Sequence, residues 1–212
     1  MRFFTSDTHY GHQSIIGFCA RPYEYVDHMN VDLVSRAATL LEEGDELWHL
    51  GDVALGRLDD TLSHLARVAV EVTLVAGNHD RCHPSNGKRS EQFVELYRER
   101  CGLTDLVLTN TRLTLSNGES VNVSHFPYAD PALEGREARH GDVVVDRFAP
   151  WRVIDAGSWL LCGHVHDSCR QKGRIVNVGV DAWGGRPVSE AEIVQLVEAG
   201  PRDLEVLRWE RP

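Results

Sequence analysis

The chain has 212 residues, of which 42% are hydrophobic and 25% charged, a globular composition long enough to fill one core. Disorder, collagen and coiled coil are excluded, and a single domain over residues 1–212 is expected. The formal charge of −10, from 32 acidic and 22 basic residues, repels nucleic-acid phosphates and argues against a polymer-binding groove.

Phe3 to Thr5 is a short apolar run ending in Ser6-Asp7 and predicts a first strand. Asp27 to Glu43 then shows apolar spacings of three and four before Gly44, the pattern of a helix. The alternation repeats with strand Glu46 to Leu50, helix Leu58 to Val68, strand Val70 to Ala76 and helix Ser90 to Arg100, which argues for a largely parallel sheet covered by helices. Arg112 to Ser116 and Glu119 to Ser124 alternate around Asn117-Gly118, a tight-turn dipeptide, so a hairpin is expected there. Phe126 to Val143, rich in Pro, Gly and charge, reads as a surface loop or as a lid over a site. Trp159 to Cys162 and Arg174 to Val178 predict strands, Ser189 to Glu198 a helix, and Leu204 to Trp209 a closing strand.

No apolar run approaches the roughly 20 residues of a membrane span, and the opening MRFFTSDTH lacks the sections of a signal peptide. A cytoplasmic protein with no membrane partner is expected. The five cysteines include no CxxC pair and read as reduced core or incidental thiols.

Five apolar segments run into small or metal-binding residues: Asp7 and His9, Gly51-Asp52, Gly77-Asn78-His79-Asp80, His125, and Gly163-His164-Val165-His166. In open α/β sheets the crevice at the carboxyl ends of the strands is where ligands bind, so these clusters are expected to converge. Asp7 with His9, and His164 with His166, stand two apart, and an extended backbone would turn both members of each pair to one side. A lone Asp-x-His is more often a cap, and a lone Gly-Asp a turn; their sum is what carries weight. Four histidines, two aspartates and an asparagine offer mixed nitrogen and oxygen donors suited to Mn, Fe, Co, Ni or Zn rather than Ca. Seven donors exceed what one ion needs, and a carboxylate can bridge two ions about 3.5–4 Å apart, the spacing used for in-line attack on phosphorus.

The blocks D-x-H, G-D, G-N-H-[DE], H and G-H-x-H occur here in one order from Asp7 to His166, and in this the chain resembles the calcineurin-like metallophosphoesterase superfamily. The resemblance implies an α/β fold, a four-layer αββα sandwich with two mixed β-sheets and the site where the sheets meet. It implies that Asp7, His9 and His166 hold one divalent transition-metal ion, that Asn78, His125 and His164 hold a second, and that Asp52 bridges them. Mn is the first choice of metal, with Fe, Zn, Ni and Co open. His79 would be a non-ligand that contacts the phosphate and protonates the leaving oxygen. The opening D-T-H-[FY]-G-H, matched by Asp7 to His12, and F-C-x-R-P, matched by Phe18 to Pro22, resemble a bacterial and phage branch. After Asp52 the chain continues Val53-Ala54-Leu55-Gly56, without the acidic residue and arginine of the serine/threonine protein phosphatases, which argues against that activity.

Around these blocks, His12 either caps the turn or contacts substrate phosphate, and Arg21 either pairs with phosphate or ties a loop through a carboxylate. Asn177, Gly179 and Asp181 are candidates for the pocket floor. His28, His49, His64, His83 and His140 have no ligand-like context and read as structural or solvated. Cys162 and Cys169 flank His164 and His166, yet a zinc site there would need histidines already used. The expected function is hydrolysis of small phosphate esters by a metal-bridging hydroxide, with phosphodiesters favoured and cyclic nucleotides among them. The alternatives are a phosphomonoesterase, a non-catalytic metal-binding scaffold and a nuclease, the last opposed by the negative charge. Homo-oligomer formation stays open.

Overall fold

The computed structural model describes residues 1–130 and 146–209. Strands β1 (Arg2–Thr5), β2 (Glu46–His49), β3 (Glu71–Val75) and β4 (Asp105–Val107) pair in parallel in that order. Between them run α1 (Gln13–Phe18), α2 (Val26–Leu40), α3 (Leu58–Thr61), α4 (Ser63–Ala66) and α5 (Val94–Cys101). The second half forms another sheet in the order β5 (Asn110–Thr114), β6 (Ser120–Ser124), β7 (Trp159–Cys162), β9 (Ile175–Asn177), β8 (Gln171–Lys172). β5 and β8 are antiparallel to their neighbours, while β6, β7 and β9 are parallel. β10 (Val188–Ser189) returns antiparallel to β1 and leads into α6 (Glu190–Glu198), whose N-terminus carries a capping box between Ser189 and Glu192.

The two-residue period of the strands separates the cores. Phe3, Leu47, Val72 and Leu74 face helices α2, α4 and α5 and join Met29, Leu33, Leu65 and Tyr97. Phe4, Leu50 and Val75 point the other way, onto Val121, Val123, Leu161 and Val176 of the second sheet. The far face of that sheet buries Leu160, Cys162 and Ile175 with Tyr128, which makes Cys162 a core thiol. The chain is therefore an α/β sandwich of two mixed sheets. Among the described residues no helix is long and apolar enough to cross a membrane.

Several sequence expectations are corrected. The predicted helix Leu58 to Val68 is two single turns, α3 and α4. The predicted helix from Ser90 begins only at Val94, because the preceding Pro84–Phe93 is a 3₁₀ segment kinked at Gly87, φ 76°. The predicted closing strand Leu204 to Trp209 is absent: Leu204 bridges Gln171 antiparallel and Leu207 bridges Trp183 in parallel, so no ladder propagates. Its alternation nonetheless reflects burial, since Leu204, Val206 and Leu207 pack on the inter-sheet core. Of the predicted loop Phe126 to Val143, residues 131–143 lie outside the described residues, and His140 with them.

Candidate active site

The two sheets are stitched together at their carboxyl ends. Ser6, just after β1, bridges in parallel to Gly179, just after β9, and Val180 N–H donates to the Ser6 carbonyl. The space left is tight. A Cβ on Gly77 would lie 2.3 Å from Asp52 Oδ1, and one on Gly163 would lie 2.3 Å from Ser6 Oγ and 2.6 Å from Asp7 Oδ2. Glycine at these two positions is what lets the carboxylates stand where they do.

Asp7, His9, Asp52, His164 and His166 all have positive φ, between 47° and 71°. Among the described residues the only other non-glycine cases are Ala20 and Ala69. This corrects the expectation of extended pairs, since Asp7 and His9 lie beyond β1, and His164 and His166 beyond β7, in left-handed turns. Such backbone is costly for histidine, on the order of 1–3 kcal/mol at each residue, and clusters where a site demands it.

The turns bring donors of Asp7, His9 and His166 within 4.8 Å of one another, and likewise those of Asp7, Asp52 and His125. His125 Nδ1 donates to the Leu50 carbonyl at 2.7 Å, which turns Nε2 toward Asp52 Oδ2 at 3.5 Å and Asn78 Oδ1 at 3.1 Å. His166 Nδ1 faces Asp181 Oδ2 at 3.1 Å, leaving Nε2 for the cluster. The His164 ring lies 5.2 Å from that of His125, outside both compact donor groups, while its backbone N–H donates to Asp7.

His9 provides the decisive test of whether a metal fits. It is buried to 1% exposure with no hydrogen-bond partner on either ring nitrogen, an arrangement that is expensive unless a cation completes it. Burial, then the His166 and Arg21 charges, hold its pKa well below the ordinary value, so it is neutral, the form that ligates metal. His164 is lowered in the same way by burial and His125. His166 is raised, because Asp7 and Asp181 outweigh the opposing burial. The donor set of imidazoles, carboxylates and an amide fits a divalent transition metal.

Two supports lie behind these donors. Asp80 accepts the N–H groups of Asp52 (2.8 Å), Val53 (3.0 Å) and Gly77 (2.8 Å), tying the ends of β2 and β3 together. Burial and the Asp52 charge push its carboxyl up to about 7. Asp80 is the acidic end of the G-N-H-[DE] block, and nothing local in the sequence signals this supporting role. Arg21, expected as a candidate phosphate contact, is corrected: its side chain is fully buried and its fork sits on Asp181, with Nε and Nη2 at 2.8 Å. Its remaining donors go to the carbonyls of Thr8 and Asp7 and to Met29 Sδ, so no N–H is left for substrate. Asp181 thus joins Arg21 to His166. Asn177 holds the same loop, donating to the carbonyls of His166 and Cys169 and accepting from Gly179 N–H.

The rim is more open. His79, 45% exposed, donates its N–H to Asp52 Oδ1 at 2.8 Å and places Nε2 4.0 Å from Asp52 Oδ2. Its ring stands 5.4 Å from that of His9. His12 stands at the start of α1 without making a side-chain cap, its ring 5.3 Å from His9 and its buried Nδ1 unpartnered, so it faces the site. The histidines without ligand-like context lie elsewhere: His49 against Thr8, His64 stacked on Tyr10, His28 against Tyr25, and His83 accepting from Ser85 N–H.

The calcineurin-like phosphoesterase superfamily domain matches residues 3–191, nearly the whole chain. The chain belongs to the calcineurin-like phosphoesterase superfamily. It is 33% identical over 211 residues to the Gene 66 protein of Mycobacterium phage D29, covering 93% of this chain and 97% of that one. With the Gene 66 protein of Mycobacterium phage L5 it shares 30% over 208 residues, 92% of each chain. These relatives agree with the bacterial and phage branch. The fold is also that of a crystal structure described as the protein of unknown function AQ665 from Aquifex aeolicus, at TM-score 0.64 and 24% identity over 92% of this chain and 98% of that one. Membership assigns the general activity, that of a metal-dependent phosphoesterase, a hydrolase acting on phosphate esters.

Proposed function

We propose that this phosphoesterase cleaves small phosphodiesters at a dinuclear centre, with Asp7, His9 and His166 around one ion, Asn78, His125 and His164 around the other, and Asp52 between them. The observation that carries the reading is the buried, neutral, unpartnered His9 beside Asp7, His166 and Asp52. Manganese is the preferred ion. When bound, the pair supplies positive charge to the phosphoryl oxygens and an acidified water as nucleophile. His79, outside the donor groups and held by Asp52 through its backbone, presents its ring at the mouth and protonates the leaving oxygen. His12 lies across the His9 ring and hydrogen-bonds a substrate oxygen. A cytoplasmic setting remains part of this proposal.

The preference for diesters follows from charge. A monoester dianion needs more cationic contacts than a diester monoanion, and Arg21 is committed to Asp181. The test is kcat/KM for bis-nitrophenyl phosphate, nitrophenyl phosphate and 2′,3′-cyclic AMP under the same Mn²⁺ concentration. The diesters should lead; a clear monoesterase preference overturns the substrate assignment.

A further inference from the structure

Beside the donors a cleft of about 290 Å³ opens, with Asn78, His79, Asn86, Arg147, Phe148 and Trp151 in its lining. Small-molecule sites span roughly 300–1,000 Å³, so it is sized for one planar group rather than a polymer. Among the described residues no carboxylate lines it, in a chain of net charge −10. Phe126 stacks on Phe148 at 4.8 Å, and the exposed Arg147 guanidinium lies over Phe148 at 4.5 Å, so a supported flat cation tops an aromatic stack. Trp151 adds a half-buried indole, set edge-on to His83 at 5.6 Å. Asn86 spends its amide N–H groups on the carbonyls of Asn78 and Asp80, and its Oδ1 accepts no hydrogen bond among the described residues.

We infer that this cleft is a nucleobase subsite, so that the phosphodiesters cleaved are nucleotides whose base carries an exocyclic amine. This rests on the phosphoesterase reading above and names its substrate class. Stacking on a guanidinium plane and an indole recognises any base. The free Asn86 oxygen accepts from the amine of adenine, cytosine or guanine. His79 stands at the junction between cleft and donors, so a base seated there directs the sugar oxygen toward its ring.

The experiment uses the full chain loaded with Mn²⁺ and two five-membered cyclic diesters, 2′,3′-cyclic AMP and glycerol 1,2-cyclic phosphate, which differ in the nucleoside. Wild type should favour the nucleotide about 10-fold or more in kcat/KM, mainly through KM. Arg147→Ala and Trp151→Leu, checked for unchanged melting, should each shrink that ratio several-fold. Calorimetry with AMP against inorganic phosphate gives a readout without turnover, and the AMP advantage should fall in both variants. If the esters are cleaved but wild type shows no nucleotide preference, or both variants retain it, the subsite is overturned while the phosphoesterase stands. If neither ester nor bis-nitrophenyl phosphate is cleaved, the phosphodiesterase reading fails, and calorimetry decides the subsite alone: equal affinity for AMP and phosphate overturns it.

Discussion

Asp52 and His79 share a hydrogen bond, yet one is buried to 1% and the other has a side chain 45% exposed. The difference extends to their surroundings. Behind Asp52, the floor of the site is fixed by main-chain geometry: five left-handed non-glycine residues, glycines that admit no Cβ, and the Asp80 carboxylate gathering three N–H groups. Around His79, the rim has an open cleft, and its rings stand in edge and stacking contacts. Donors for a cation need fixed positions and tolerate no competing partner, whereas groups that meet a substrate must stay accessible.

The largest effect should come from the floor. On the proposed dinuclear reading Asp52→Ala removes the carboxylate placed between the two ions, so metal analysis by mass spectrometry should show both ions lost and turnover absent. Gly77→Ala should do nearly the same without deleting a donor, because its Cβ would fall 2.3 Å from Asp52 Oδ1. Tight retention of an ion by Asp52→Ala would break the bridging role.

The rim should respond differently. His79→Ala is expected to keep its metal and lose about 10²–10⁴-fold in kcat, the usual contribution of a positioned acid. The loss should be smaller for nitrophenyl esters, whose leaving group needs no proton. If metal content instead falls with activity, His79 belongs to the floor.

Arg21 sharpens the contrast, since a charged group near the site serves the floor rather than substrate. Arg21→Met leaves Asp181 as a buried carboxylate without its ion pair, which costs about 3–5 kcal/mol. Denaturant midpoints should report that loss. A changed KM with unchanged stability would return Arg21 to the substrate.

The parts of the molecule that the sequence made readable are those with local signals. The parallel half is visible in strand and helix periodicity, the hairpin in Asn117-Gly118, and the donors in the glycine-punctuated ends of apolar runs. What stayed hidden is tertiary. Arg21 meets Asp181 across 160 positions, and a guanidinium near a metal motif is compatible with phosphate or carboxylate until the partner is placed. The left-handed turns were hidden for the opposite reason: few residues other than glycine enter that region, so local preference argued for extended pairs and packing overrode it. Strands β4, β8 and β10 have two or three residues, too few to show a period.

The smallest effect comes from a buried histidine that serves the floor without facing it. His49 lies in β2 beside Thr8, whose hydroxyl donates to the Val53 carbonyl, so His49 Nε2–H must donate to Thr8 Oγ1. Its Nδ1 is buried with no partner, and a proton added there has no acceptor. Burial lowers the pKa to about 3, only partly offset by Asp7, against roughly 6.5 in the unfolded chain. Above pH 6.5 both states are neutral and this residue adds no pH dependence. Between 6.5 and about 3 the unfolded state alone takes up the proton, so stability falls as pH drops, by about 2 kcal/mol at pH 5 from this group. Below about 3 the loss levels off. His49→Phe keeps the Thr8 bond to Val53 and cannot titrate, so urea midpoints at pH 7 and pH 5 should differ less in the variant than in wild type. Parallel pH profiles would show that His49 is not what makes the floor acid-sensitive.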